Sequence, residues 1–347
     1  MNLEERISAF SALGEILRNS LRGKSNPFTG RMNDLIGNQH LKNPWFTPGN
    51  VKLALKNTAD ELTEENLVKW TATYPALNDT AKPLNVGIIM AGNVPLVGFH
   101  DFLSVLITGN SVIAKTSSKD PDLIKLITDI LISVNQTFKN RISISEGILS
   151  GFDIVIATGS DNSSRYFEHY FGRYPNIIRK NRNSIAVIDG NESDEELEAL
   201  GSDVFSYFGL GCRSISKLFV PEKYDLSKVT KNWEKYSALI NHSKYAANYD
   251  FNKAVLLVNK EKFTDTGYLI LKEEYILSSP VAVLFYEFYN SQKQLNKYFR
   301  DNSDKIQCIV GSNYMPFGKA QSPALWDYAD GIDTIDFILK KNFPGRL

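Results

Sequence analysis

From Leu84 onward, short apolar runs alternate with amphipathic segments, and this alternation constrains the fold more than any other feature of the sequence. It is the pattern of parallel strands joined by crossover helices. Residues 85–90 read as a buried strand, Ala91-Gly92-Asn93-Val94-Pro95 as a sharp turn, and 96–108 as a helix stopped at Gly109-Asn110. Residues 111–114 read as the next strand, which delivers Lys115 at its carboxyl end; 122–138 read as helix. A strand over 153–157 then runs into Thr158-Gly159-Ser160, followed by a helix through Tyr170. Another strand spans 185–188, and the turn after it places a sub-domain boundary near residue 190. Beyond it the α/β texture repeats: strand over 254–258, a helical or irregular stretch over 269–274, strand over 281–285, a strand-like run over 306–310 and a closing strand over 334–339.

Ahead of this region, Leu3, Ile7, Phe10, Leu13, Ile16, Leu17 and Leu21 recur at helical spacing, and the polar stretch 24–43 breaks the pattern. Two further helices are expected over 51–62 and 64–74, the second capped by Thr63. The chain of 347 residues is long for one domain. Its 39 basic and 39 acidic residues leave no net field, which disfavours polyanionic partners. The charged N-terminus lacks an apolar leader, and no run reaches the ~18 apolar residues of a membrane span. Two cysteines far apart in sequence argue for a reducing, cytoplasmic compartment rather than a disulfide framework.

One of those cysteines holds the chemical interest. In Phe208-Gly209-Leu210-Gly211-Cys212-Arg213-Ser214 the thiol sits in a glycine-flanked turn, between a helix over 193–208 capped by Ser193 and a strand over 215–220 ending at Pro221. Unencumbered backbone there lets a carbonyl reach the sulfur while a backbone N–H faces the developing oxyanion. The plain alternative is a small buried hydrophobe, which is also the simplest reading of Cys308. Lys115, and Thr158, Gly159 and Ser160 at a helix N-terminus, stand where open parallel sheets bind phosphate-bearing ligands; each also reads as surface lysine or helix cap. Neither Gly-x-Gly-x-x-Gly nor Gly-x-x-x-x-Gly-Lys-Ser/Thr occurs. The scattered His40, His100, His169 and His242 suggest no metal site, and the pairs Glu195-Glu196 and Glu273-Glu274 are as consistent with solvated faces as with chemistry.

The order Asn93-x-Pro95, Lys115, Thr158-Gly159-Ser160, Cys212, Glu273-Glu274 and Pro316-Phe317-Gly318 resembles the aldehyde dehydrogenase superfamily. Within it, Trp45-Phe46-Thr47, Gly98-Phe99-His100-Asp101-Phe102, Cys212-Arg213-Ser214-Ile215-Ser216, Asn248-Tyr249-Asp250-Phe251-Asn252-Lys253 and the segment from Gln321 to Gly331 look like the LuxC-type acyl-CoA reductases. The resemblance implies an aldehyde-dehydrogenase-like α/β fold: a parallel-sheet nucleotide-binding domain over 1–190, a smaller α/β catalytic domain over 191–310, and a segment over 311–347 that returns to the cofactor domain or forms an oligomer contact. It implies catalysis in the cleft between the domains, with Cys212 as nucleophile and Asn93 as oxyanion donor. Lys115 would lie near the adenosine ribose, Thr158, Gly159 and Ser160 at the pyrophosphate, and Glu273 or Glu274 at the nicotinamide ribose. The activity implied is reduction of a fatty acyl thioester, from CoA or a carrier, to an aldehyde with hydride from NADPH or NADH. Reduction of an acyl phosphate and CoA-acylating aldehyde oxidation are alternatives within the fold, and a non-catalytic nucleotide- or acyl-binding module is the alternative of another class. A homo-oligomer and an acyl-donating partner protein are further implications. The chain departs from hydrolytic members at Ile178-Arg179-Lys180-Asn181-Arg182-Asn183-Ser184, where their water-activating glutamate has no carboxylate counterpart, and this favours the reductase direction.

Overall fold

The computed structural model describes residues 1–79, 82–145 and 147–342; the end of the expected C-terminal segment, 343–347, lies outside the described residues. The chain forms two compact units, Met1–Lys180 with Ala324–Leu347, and Asn181–Pro323. No helix among the described residues is long and apolar enough to cross a membrane.

The first unit opens with helices α1 (Leu3–Leu21), α2 (Thr29–Asn38), α3 (Pro48–Glu61) and α4 (Glu64–Thr71). Asn2 and Glu5 form a reciprocal capping box that starts α1, and Phe10, Leu13 and Leu17 bury its inner stripe. The α/β portion runs β1 (Asn85–Ile89), α5 (Phe99–Ile107), β2 (Ser111–Lys115), α6 (Leu123–Val134), β3 (Ile142–Ser145), β4 (Ile154–Thr158), α7 (Asp161–Phe171) and β5 (Asn176–Arg179). Its five strands lie in the order β3-β2-β1-β4-β5, all parallel. Strand order reverses between β1 and β4, so the turns at their carboxyl ends flank the switch point where open α/β sheets bind ligands.

In the second unit β6 (Asn183–Val187), α8 (Asp194–Phe205), β7 (Ile215–Pro221), α9 (Ser227–Lys231), α10 (Ser243–Val258), β8 (Thr264–Asp265), β9 (Ile270–Glu273), β10 (Val283–Tyr289), α11 (Gln292–Asp301) and β11 (Ile306–Val310) follow one another. The sheet order is β11-β6-β7-β10-β9-β8, parallel except for the short β8 at the edge. One core, around Leu197, Leu200, Leu218 and Trp233, and a second, around Val187, Phe219, Leu295 and Ile306, bury the alternating strand residues. The chain returns to the first unit at Ala324, and its last described element is α12 (Thr334–Asn342).

The structure corrects several sequence expectations. Residues 254–258 are the last turns of α10, not a strand; Val255, Leu257 and Val258 are exposed, whereas a buried parallel strand would enclose them. Residues 334–339 are helical, with Ile335, Ile338 and Leu339 buried on one face and the Asp333 carboxylate accepting the Asp336 N–H (2.9 Å). Residues 270–273 are strand β9, and the polar stretch 24–43 contains α2. The helix after Asn93 begins at Phe99, since Leu96 holds a left-handed backbone (φ 58°). The change of unit falls after Lys180, ahead of the expected 190, because β6 pairs with β7 and β11.

Candidate functional site

The thiol turn in the second unit starts where α8 stops. The capping box of Ser193 and Glu196 opens that helix. It ends at Phe205, earlier than the sequence suggests, and Tyr207 (φ 54°), Phe208 (φ 59°) and Gly209 (φ 77°) follow in left-handed conformation. Two successive non-glycine residues there cost about 1–2 kcal/mol each. Burial sustains them: Phe208 packs on His242 at 4.4 Å and on Tyr245 at 5.9 Å between ring centroids. Cys212, half-buried, then sits in a turn closed by Ser214 N–H donating to the Gly211 carbonyl (2.9 Å).

Ser184 and Gln321 bond to this turn, and its own Arg213 reaches out to the 316–321 loop. Ser184 Oγ donates to the Cys212 carbonyl (2.9 Å) and lies 3.0 Å from Cys308 Sγ. Arg213 Nε donates to the Ala320 carbonyl (2.6 Å), and Gln321 Nε2 to Ser214 Oγ (3.2 Å). The Asp203 carboxylate accepts the N–H groups of Gly318 (2.6 Å) and Ala320 (3.0 Å). Burial pushes Asp203 up to about 6 in spite of these donors and of Arg213. Further along β7, Ser216 Oγ donates to the Leu277 carbonyl (2.8 Å) and Lys217 Nζ to the Tyr275 carbonyl (2.9 Å). Lys217 is fully buried, paired with Glu287 and flanked by the rings of Phe219 and Tyr298; burial lowers its pKa against the pull of that carboxylate. The stretch after Cys212 thus fastens two loops to the sheet, 316–321 and 274–277. The second adjoins the two glutamates. Glu273 is exposed, whereas Glu274 pairs with Lys272 (2.8 Å) and accepts the Tyr275 N–H (2.9 Å), and these bonds, Lys272 first, hold its carboxyl below the usual range.

In the first unit the turn carrying Asn93 is fixed on both sides. Asn43 Nδ2 donates to the Gly92 carbonyl (3.2 Å), and the Leu96 N–H donates to the buried Asp120 carboxylate (2.9 Å). Burial pushes Asp120 up to about 6. A Cβ on Gly92 would meet Ser117 Oγ at 2.4 Å, so the turns after β1 and β2 touch. Lys115 ends β2, Thr158 ends β4, and Ser160 caps α7 through the Ser163 N–H (3.4 Å). A Cβ on Gly159 would lie 2.8 Å from the Phe167 ring and from Ser163 Cβ, so a side chain here would force its neighbours to shift, and glycine leaves bare backbone over the helix N-terminus. Asn93, Lys115 and 158–160 therefore share the carboxyl edge of one sheet, beside its switch point, the position where open α/β sheets bind ligands.

Other expected motifs prove to be fastenings. Asp101 forms a bidentate pair with Arg179 (2.6 and 3.1 Å), and Arg179 also donates to the Ala329 carbonyl (2.6 Å) and Thr334 Oγ1 (2.9 Å). His100 Nε2 lies 2.8 Å from the Leu325 carbonyl, and Trp70 Nε1 donates to Tyr328 Oη (2.7 Å). The segment 324–331 is thus seated on α4, α5 and β5. Within the stretch 178–184, Arg179 is a buried structural cation paired with Asp101. In the second unit Asn252 Nδ2 donates to the Val281 carbonyl (2.9 Å) and Lys253 pairs with Asp265 (2.6 Å). Ser184, Asp203, Asp120 and Lys217 had no sequence signal as site supports, apart from a lysine out of place within an apolar strand.

A family model described as acyl-CoA reductase (LuxC) matches residues 43–280. Among curated proteins, the long-chain acyl-protein thioester reductase of Aliivibrio fischeri is 26% identical over 212 residues, 55% of this chain and 43% of that protein. A second such reductase, from Photobacterium leiognathi, is 26% identical over 192 residues, 50% of this chain and 40% of the other. The match therefore spans roughly two fifths of the length of these relatives. Among solved structures, aldehyde dehydrogenase 21 of Physcomitrella patens superposes with a TM-score of 0.65 at 13% identity, covering 99% of this chain and 85% of that one. An NAD-dependent aldehyde dehydrogenase of Sinorhizobium meliloti gives 0.64 at 12% identity, covering 93% and 74%. These likenesses show the fold.

Proposed function

Because the chain belongs to the LuxC family of acyl-CoA reductases, we propose that it reduces a fatty acyl thioester to the aldehyde through an acyl group carried on Cys212. The observation that supports this reading most is the thiol turn, a half-buried sulfur whose flanking peptides are fixed by Ser184, Arg213 and Gln321. In this reading the Cys212 thiolate attacks the thioester carbonyl, and the S–C bond to CoA or a carrier breaks as the acyl group moves to the protein. The Cys212 N–H receives the oxyanion, and the family resemblance gives Asn93 as the side-chain donor. Because the stretch 178–184 offers no carboxylate to activate water, the acyl group on Cys212 would persist for reduction.

The nucleotide, when bound, supplies the hydride. Lys115, Thr158, Gly159 and Ser160 would hold its adenosine and pyrophosphate portions, and Glu273, the exposed member of its pair, or Glu274 its nicotinamide ribose. NADPH is the proposed donor, since Lys115 and Lys119 supply cations for a 2′-phosphate. The names of the curated relatives suggest acyl-protein as well as acyl-CoA donors, and a homo-oligomer and a cytoplasmic location complete the proposal.

The test is NADPH and NADH consumption with a series of acyl-CoA thioesters, aldehyde identified as product, in the native protein and in Cys212→Ala. Aldehyde formation that requires Cys212 supports the reading; turnover undiminished in Cys212→Ala refutes the covalent route.

A further inference from the structure

Asp203 lies on α8, upstream of the thiol turn, and is fully buried. The neighbouring buried positions of that helix are Leu197, Leu200, Val204 and Phe205, so an apolar residue at 203 would serve the core better than a carboxylate. What the carboxylate delivers is direction. Its two oxygens take the N–H groups of Gly318 and Ala320, and the carbonyl of the same Ala320 takes the Nε–H of Arg213, the residue that follows Cys212. Gly318 (φ 81°) lies against Ala199, where an added Cβ would come within 3.1 Å, so this loop sits directly on α8. The path from Asp203 to the nucleophile is therefore two hydrogen-bonded steps long, through one loop residue.

We propose that Asp203 is a positioning residue for Cys212: by fixing the Gly318–Ala320 loop it fixes Arg213, and with it the peptide leaving the thiol. The proposal rests on Cys212 being the nucleophile. The groups that face the carboxylate are the two loop N–H groups, Arg213 and Tyr236. Its carboxyl is pushed by burial up to about 6. Protonation turns one of its acceptor oxygens into a donor, so the clamp loosens as the pH falls through that value.

The experiment uses the full chain and octanoyl-CoA, with acylation of Cys212 followed by intact-mass spectrometry from pH 5 to 8, and circular dichroism establishing that each variant is folded. In Asp203→Ala the saturating acylation rate falls at least about tenfold while the half-saturating thioester concentration stays within about twofold. In Asp203→Asn, which keeps one acceptor and cannot titrate, the acidic limb near pH 6 disappears. A folded Asp203→Ala with the native saturating rate overturns the proposal, as does an acidic limb unchanged in Asp203→Asn; if the alanine variant does not fold, the asparagine variant decides. Should the native protein take up no acyl group, the reductase reading fails and the clamp is judged by iodoacetamide. A pH midpoint of Cys212 alkylation that moves in Asp203→Asn, where the Arg213 charge loses its counter-charge, supports it; coincident midpoints overturn it.

Discussion

Replacing Arg179 by leucine should unfold the first unit far more readily, with a pH signature that identifies the cause. Arg179 and Asp101 are 4% and 8% exposed, and no other cation contacts the Asp101 carboxylate through a described ion pair. Burial opposes the charge on Asp101, yet the Arg179 charge and hydrogen bonds hold its carboxyl below the usual range. Removing the guanidinium deletes at least the four hydrogen bonds described above and leaves a buried carboxylate with Thr334 Oγ1 at 3.4 Å. Breaking such a pair from one side costs about 3–5 kcal/mol. In a unit of roughly 200 residues that lowers Tm by about 10 °C. The native Asp101, with its depressed pKa, contributes stability above the unfolded carboxylate pKa and loses it as pH falls through the folded value. In Arg179→Leu the same group is raised instead and gains stability on protonation. The deficit is therefore largest near pH 7 and narrows toward pH 4. Calorimetry and urea unfolding across that range, with Asp101→Asn/Arg179→Leu recovering part of the loss, provide the check. A deficit below about 1 kcal/mol at pH 7, or one independent of pH, would refute the reasoning.

Lys217→Met leaves Glu287 in the core without its cation and should cost about 3 kcal/mol in urea unfolding, with partial recovery in Lys217→Met/Glu287→Gln. Asp120, raised to about 6, takes up a proton on folding between its unfolded value and that pH, so it contributes more stability as pH falls from 7 to 4, by up to about 3 kcal/mol. Asp120→Asn should flatten that part of the pH dependence of Tm, and an unchanged slope would count against it. Gly159→Ala forces a methyl against Phe167 and Ser163 and should lower stability by about 1–3 kcal/mol, read by thermal unfolding without nucleotide.

The strand ends were legible in the sequence because each carries its own punctuation. Short apolar runs that stop at Lys115 or at Thr158-Gly159-Ser160, and a cysteine between glycines, signal their geometry within a few residues. The elements misread were those where local pattern is degenerate. Val255, Leu256, Leu257 and Val258 form an apolar run that suits a strand, and only the helix begun at the His242 cap decides otherwise. Residues 334–339 carried a helical pair of spacings, Ile335 to Ile338 and Leu339, obscured by Thr334 and Phe337. β9 hid behind the lysine and glutamate of Lys272-Glu273, because its exposed end lacks the apolar partner that would complete an alternation.

The supports of the site were illegible for a different reason: they join residues remote in sequence. Asp203 meets Ala320 across 117 positions, and Arg179 meets Thr334 across 155. A carboxylate on the apolar side of a helix, or a lysine inside a strand, announces only that some partner exists. The structure adds the direction of each bond, and those directions sort the residues that carry the family likeness into two kinds. His100, Asp101, Leu325, Tyr328 and Ala329 lock one segment onto the first unit. Arg213, Ser214 and Ser216 bond to the loops 316–321 and 274–277. Within the stretch from Cys212 to Ser216, three of the residues after the cysteine thus tie the turn and the strand that follows it to those loops.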